Sequence, residues 1–364
     1  MIEHCVALLG CQDRPTDAIE DYCRYLNHSL RQRGFEMKLI RVPWVERGWP
    51  AALRELAQQA REWRGQWIFI QYTALSWSRR GFPWRLLGVL SVLQHAGARI
   101  AVIFHDAEPY PGTRTIDRVR RLIQLSIMRR AVQSSNVAVF TVPVPLISWV
   151  KVYPPNAVFI PVGANLPVSA SCSSGFRDKS HEGLRVAIYG ITGGEAGKKE
   201  CVRIVDAMRS AAAKVCKLQL RAFGRNALDF APFLVEELRC ASVDVQVKGI
   251  LSAEEVMQEL CGADVMLFVR GGISSRRGSA IAGIACGLPV VAYFGSETGQ
   301  PITDAGVMLV SEKEEQELRD ALVRVLTDED FRAQLAKRSR LAQERYFGWP
   351  AIAENFVQAL SSRS

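Results

Sequence analysis

Short apolar runs alternate with stretches of helical period along most of this chain. In the first half, runs near 4–9, 36–41, 66–71, 99–104, 136–140 and 157–161 have the length and the β-branched or aromatic content of buried strands. Amphipathic stretches at 16–33, 50–63, 83–96 and 113–131, with a short one near 145–150, read as the helices between them. Gly34 follows the first helix as a C-terminal cap should. The stretch 166–183, LPVSASCSSGFRDKSHEG, has no period and is rich in serine, and is predicted to be a linker. The alternation then restarts. Strands are expected near 184–190, 217–223, 243–248, 264–269, 288–293 and 306–310, and helices near 198–213, 230–241, 252–261 and 279–286. Three closing helices follow at 312–326, 328–345 and 350–361. Continuously apolar strands separated by helices predict an α/β protein of two doubly wound parallel-sheet domains, 1–165 and 184–349. Ligands of such sheets bind outside the carboxyl ends of the strands, and two such domains facing one another make a central cleft. The residues just after each strand are therefore the candidates for chemistry.

Length and composition agree with this reading. A chain of 364 residues suits two domains. The longest dense apolar patch, Leu86–Leu93, is interrupted by Gly88 and Ser91 and falls short of a membrane span. The first ten residues carry Glu3 and read as a strand, not a signal peptide. Nine cysteines are scattered without a CxxC pair, which predicts thiols, neither a disulfide framework nor a zinc site. Charge changes the picture more. Residues 1–165 hold 21 basic and 12 acidic side chains, while residues 166–364 hold 25 of each, so the whole net charge of +9 sits in the first half. That asymmetry points to an anionic partner of one domain, either nucleic acid or a membrane leaflet.

Two glycine-rich turns stand out in the second half. The loop after the 264–269 strand reads Arg270-GGISSRRGSA-Ile281 and runs into a helix of small residues. Arg276, Arg277, Gly278 and Ser279 lie at or just before that helix start. Free backbone N–H groups, the helix dipole and two guanidiniums there favour a phosphate. An exposed Arg-Arg pair alone is ordinary solvated surface; the glycines and the helix start are what point to an anion. The second turn, Gly190-ITGGEAGKK-Glu200, fails the P-loop spacing, with Thr192 and Lys199 at key positions, and lacks G-x-G-x-x-G. It leaves Gly193, Gly194, Lys198 and Lys199 either as a cation-bearing loop for an anion or as a plain helix-start loop.

Several segments, in order and spacing, resemble a GT-B glycosyltransferase of family 4. LRVAIYG opens the second half as that family's donor domain does; LQLRAFGRN, VQVKGILSAEEVMQELCGADVML and IACGLPVVAY are similar to its following segments. RYFGWPAIAENFVQAL is similar to its closing helix, which implies that 350–361 crosses back to the first domain. In the first half, the 10–40 segment, VIFHD at 102–106 and FIPVGAN are weaker matches. The 274–279 segment is similar to an S-x-R-R-G-[ST] stretch of some glycosyltransferases. The chain departs from the family in two respects: its usual pair of glutamates would fall at Ser274 and Ala282, and its usual Arg near Gly194.

The resemblance implies transfer of a sugar, with retention, from a nucleotide diphosphate-sugar, UDP or GDP being the expected nucleotides. No separate cofactor is expected. Without an Asp-x-Asp or a His cluster of ligand spacing, no metal is expected either. Leaving-group charge would then be stabilised by preorganised positive groups: Arg276 and Arg277, with Lys198 or Lys199 across the loop and the N–H groups around Gly278. Arg225 and the turn at Gly249 and Ile250 are expected near the nucleotide, and Glu297 as the acid nearest the sugar. His105, ending an apolar strand, is the candidate to orient an acceptor hydroxyl, and otherwise a turn-capping histidine. Asp13 and Asp17 are further acceptor-side candidates, Asp17 being equally placed to cap the first helix. His4 and His95 read as structural.

Helix 113–131 places Ile116, Val119, Ile123 and Ile127 on one face and Arg114, Arg118, Arg121 and Arg129 nearly opposite. Arg79, Arg80 and Arg85 are interleaved with Trp77, Phe82 and Trp84. Such patches suit a peripheral contact with the inner face of a membrane, bringing the enzyme to a glycan or lipid-linked acceptor in surface polysaccharide or glycolipid assembly. No nucleic-acid-binding pattern accompanies them. Two other readings remain: an inactive binding or partner subunit of the same fold, and a nucleotide-sugar epimerase.

Overall fold

A computed structural model describes residues 3–167 and 183–363. The chain forms two compact units, Met1–Pro161 with Trp349–Ser364, and Val162–Gly348. Most of the expected linker, 168–182, lies outside the described residues.

The first unit runs β1 (Glu3–Leu9), α1 (Ala18–Arg31), β2 (Phe35–Arg41), α2 (Trp44–Arg47), α3 (Trp49–Gln59), β3 (Trp67–Tyr72), α4 (Leu86–His95), β4 (Arg99–Phe104), α5 (Thr115–Gln133), β5 (Val137–Phe140) and β6 (Ala157–Phe159). Its sheet order is β2-β1-β3-β4-β5-β6, parallel throughout. Every residue of β3 and β5 is buried, as helices on both faces require. The second unit runs β7 (Leu184–Tyr189), α6 (Gly194–Ala212), β8 (Leu218–Phe223), α7 (Ala231–Arg239), β9 (Val243–Val247), α8 (Ala253–Cys261), β10 (Val265–Gly272), α9 (Gly278–Ala285), β11 (Val290–Tyr293), β12 (Val307–Val310), α10 (Glu315–Thr327) and α11 (Glu329–Ala342). Its six strands are also parallel, in the order β12-β11-β10-β7-β8-β9. The last helix, α12 (Trp349–Ser361), packs on α1 of the first unit: Trp349 stacks on Tyr25 at 5.8 Å, Phe356 meets Phe69, and Glu354 pairs with Arg33.

Three expectations are corrected. Trp77 is fully buried, its indole N–H donating to the Gln71 carbonyl at 2.9 Å, so it is core and not part of a surface patch. Trp84 is exposed, with the Arg85 guanidinium 3.9 Å above its ring. Seven cysteines are free thiols but Cys261 is disulfide-bonded; a disulfide follows spatial proximity, which no sequence spacing revealed.

The third correction concerns α5. Ile127 is buried as expected, but Ile116 is 51% and Val119 45% exposed, with Leu122 at 68%. Asp117 and Gln124 are buried in their place. The first turns of α5 rest on loop backbone, not on the sheet, and loop carbonyls need donors. Gln124 donates to the Gly81 carbonyl and accepts from the Tyr110 N–H. Arg120 pairs with Asp117, donates to the Arg80 carbonyl, and lies over the rings of Phe82 and Tyr110. The helix is thus inverted at its start: polar inside, with an apolar stripe outside beside the exposed Arg114, Arg118 and Arg121.

At the carboxyl ends of β1 and β3 the backbone is closed up. The Ser76 carbonyl accepts from the Cys11 N–H at 2.8 Å and from the Trp44 indole at 3.0 Å, and a Cβ on Gly10 would lie 2.1 Å from that oxygen. Gly10→Ala is therefore expected to destabilise the first unit by about 1–3 kcal/mol. Chemical denaturation reads this directly, and a wild-type midpoint for the variant would show that the contact yields freely.

Candidate functional site

In the second unit the first strand, β7, lies beside the fourth, β10, and the chain leaves them in opposite directions. An open parallel sheet has its natural crevice at this switch point. Gly190, at φ 79°, ends β7. Backbone bonds then stitch three loops together: the Gly190 N–H donates to the Phe223 carbonyl, that of Ile191 to Arg225, and that of Gly224 to Gly249. Asn226, itself at φ 57°, donates its side-chain amide to the Ile191 carbonyl at 2.9 Å. Gly193, Gly194, Arg225, Gly249 and Ile250 thereby belong to one stitched set of loops. Glu200, buried on α6, accepts the Thr192 N–H at 2.8 Å and holds the turn. Lys198 and Lys199 are exposed on α6, and Lys198 is paired with Glu195 at 2.6 Å.

The other side of the crevice is built by the loops after β10 and β11. Gly272 and Gly295 touch through their backbones, since a Cβ on Gly272 would lie 2.5 Å from the Gly295 Cα. The Ile273 N–H donates to the Tyr293 carbonyl, and the Thr298 hydroxyl donates to the Ile273 carbonyl at 2.5 Å. Glu297 is brought over Arg276. Its carboxylate accepts from the guanidinium at 2.7 and 3.0 Å, and from the Ser274 hydroxyl at 3.2 Å. The side chains are 20% and 12% exposed. Arg276, expected as an anion-binding charge, and Glu297, expected as a sugar contact, satisfy one another in a two-bonded pair. Arg277 is the N-cap residue of α9, half-buried, and its N–H donates to the Ser274 carbonyl.

Gly278 is the informative glycine. Its φ is not left-handed and a Cβ there would meet nothing within 4 Å. The fold has no steric need for glycine at this first helical residue, so the missing side chain leaves the N–H groups of Gly278 and Ser279 approachable.

One residue escaped the sequence reading. Arg270, late in β10, reaches across the switch point and puts its Nη1 3.0 Å from where a Gly190 Cβ would stand. Its Nε is buried without a hydrogen-bond partner. The signal in the sequence was an arginine ending an otherwise apolar strand.

In the first unit His105 follows β4. Its Nε2 lies 2.8 Å from the side-chain oxygen of Gln71, which is buried and bonds the Phe69 carbonyl through its nitrogen. That partner fixes the proton on Nε2 and leaves Nδ1 as the acceptor. The ring meets Tyr22 edge-on at 4.9 Å. Burial pushes the His105 pKa down to about 4, with Asp17 opposing, so the ring is neutral at neutral pH. Asp17 caps α1 through the N–H groups of Ile19 and Glu20 and pairs with Arg41 at 3.0 Å, while Asp13 is exposed beside it.

No protein-family model matches the chain, and no curated protein matches it in sequence. Solved structures do match it in fold. HepE of Anabaena in complex with UDP and glucose has a TM-score of 0.67 at 15% identity, over 99% of this chain and 100% of that one. Sucrose-phosphate synthase from Thermosynechococcus elongatus has 0.69 at 18%, over 99% and 98%. A glycosyltransferase from Rickettsia africae has 0.71 at 10%, over 100% and 98%. With its two six-stranded parallel sheets and flanking helices, the chain has the two-domain, Rossmann-like GT-B fold.

The His105 environment has a pH consequence. Its folded pKa lies below the ordinary 6.5, so its contribution to stability is complete above pH 6.5 and is lost as pH falls toward 4. His105→Gln, which keeps a donor for Gln71, is expected to lose less stability than wild type between pH 6.5 and 4. Denaturation midpoints at pH 7 and 4.5 test this; parallel losses in the two proteins would count against a neutral buried ring.

Proposed function

We propose that the chain is a glycosyltransferase that takes a sugar from a nucleotide diphosphate-sugar, with UDP or GDP as the nucleotide, and transfers it with retention to a glycan or lipid-linked acceptor. The observation that carries this is the glycine-lined crevice at the β7/β10 switch point, with the unobstructed start of α9 on one side. HepE, similar in fold, was crystallised with UDP and with UDP-glucose, which supports the same donor class here.

Departure of a nucleoside diphosphate places negative charge on its phosphates as the sugar–oxygen bond breaks. Groups fixed before that moment stabilise the charge without reorganising. The N–H groups at Gly278 and Ser279 and the nearby guanidiniums supply them without a metal. Lys199, exposed on the first turns of α6, adds long-range attraction. Glu297, oriented by Arg276 and Ser274, presents its carboxylate toward the sugar. His105, neutral and with Nδ1 accepting, binds or deprotonates an acceptor hydroxyl in the first unit.

A second reading has one observation behind it. Ser274 and Ala282 are both buried, so neither position offers the carboxylate that the resemblance leads one to expect. A non-catalytic nucleotide-sugar-binding subunit fits that. Thermal shifts with UDP, GDP, ADP, dTDP and their sugars separate the possibilities when followed by a nucleotide-release assay with added acceptors. A nucleotide at 100 times its Kd stabilises the fold by about 2.7 kcal/mol. Stabilisation with release supports the transferase; stabilisation without release favours the subunit; silence from every nucleotide sinks both.

Gly278→Ala separates binding from folding. Alanine is the better helix former by up to about 1 kcal/mol, so the unliganded variant is expected to be at least as stable as wild type. Its nucleotide-diphosphate affinity is expected to fall. A loss of both together would mean that the glycine serves the fold.

The acceptor side of the proposal includes a membrane. Ile116, Val119 and Leu122 stand exposed beside Arg114, Arg118 and Arg121, apolar groups for the acyl boundary and cations for anionic headgroups. No helix among the described residues is long and apolar enough to cross a bilayer; the proposed contact is a peripheral one. Val119→Glu/Leu122→Glu is expected to abolish cosedimentation with vesicles containing anionic lipid while leaving the fold intact; unchanged cosedimentation would remove α5 from the contact.

A further inference from the structure

We infer that Arg270, and not Arg276, is the guanidinium that takes the donor's diphosphate. This rests on the donor reading above and assigns the anion contact within it.

Arg276 is already committed. Two charge-assisted bonds to Glu297 at 2.7 and 3.0 Å neutralise it, and both side chains are largely shielded from water. Turning Arg276 to a phosphate would leave the Glu297 carboxylate half-buried beside a second anion, which is costly. The pair acts instead as a strut that fixes the carboxylate.

Arg270 is placed and equipped differently. It lies on the strand that borders β7 at the reversal of strand order. Its guanidinium rests against Gly190, where any side chain would crowd it, since a Cβ there would lie 3.0 Å from Nη1. Its Nε is buried with no hydrogen-bond acceptor. A buried guanidinium donor without a partner is destabilising; the side chain is only partly buried, and a diphosphate in the crevice meets its outer Nη groups with acceptors and a countercharge that the fold does not give it. Gly271, at φ 70° with nothing within 4 Å of a Cβ, leaves the adjoining side open. Gly190 is therefore the shape partner of Arg270, and the two form one subsite of strand end and turn.

The test compares UDP with uridine, and GDP with guanosine, by calorimetry on wild type, Arg270→Met and Arg276→Met. Arg270→Met is expected to weaken diphosphate binding roughly ten- to hundredfold and to leave nucleoside binding unchanged. Without ligand, its unfolding midpoint is expected to equal or exceed that of wild type, because the fold loses a buried donor that has no acceptor. Arg276→Met is expected to lower the unliganded midpoint, because Glu297 is stranded. Full diphosphate affinity in Arg270→Met alongside diphosphate binding by wild type overturns this assignment and leaves the donor reading standing. Failure of wild type to bind any nucleoside diphosphate overturns both. A lowered midpoint in unliganded Arg270→Met also counts against the inference, since it would make Arg270 a structural residue.

Discussion

Both units are governed by a single constraint: every strand is parallel, and the first strand sits inside the sheet. Crossovers must then run to one side of that strand and later to the other, and the loops part where they diverge. The two units fill that gap in opposite ways. Between β1 and β3 the Ser76 carbonyl fills it, accepting two N–H donors and pressing on Gly10. Between β7 and β10 the gap is met by Gly190 and the head of Arg270, whose Nε finds no protein acceptor. The same topological opening is filled by packing in one unit and, on the proposal above, takes an anion in the other.

The second unit shows why counting cations is a poor guide to an anion site. Its charges balance overall, and several lysines and arginines around the crevice are individually balanced too. Lys198 pairs with Glu195, Lys248 with Glu259 at 2.6 Å, and Arg276 with Glu297. The exposed Lys198 pair is worth little and gives way to a ligand easily. The Arg276 pair is shielded and two-bonded, and does not. A shielded two-bonded pair holds its cation back from a ligand, whereas a guanidinium the fold leaves without an acceptor has no such commitment.

The strands and helices were legible because buried parallel strands leave uninterrupted apolar runs such as Trp67–Ile70 and Val265–Val269, which periodicity detects. The short α2 was missed, since four residues are too few to show a period. The glycine loops were legible as candidates because each follows a strand. The roles of Arg270, Arg276 and Glu297 were not: Arg276 and Glu297 are 21 residues apart and meet only because the loops after β10 and β11 touch through Gly272 and Gly295. Trp77 was misread for a related reason. Sequence neighbours such as Arg79 and Arg80 made it look superficial, whereas its indole N–H is used inside the core.

Helix α5 carries that lesson furthest. An apolar spacing tells which residues share a face, not which face is inside. Over its first turns the neighbour is loop backbone, whose carbonyls at Arg80 and Gly81 demand donors, and Arg120 and Gln124 meet that demand. Once those polar groups are drawn inward, the geometry of a helix of 3.6 residues per turn forces Ile116, Val119 and Leu122 outward. Arg120, satisfied by Asp117 and by the aromatic faces of Phe82 and Tyr110, contributes nothing to the outer field. Arg114, Arg118, Arg121 and Arg129 are exposed. An apolar stripe beside a row of cations suits a partner that is itself apolar and anionic, and in the proposed reaction that partner is the surface that holds a lipid-linked acceptor.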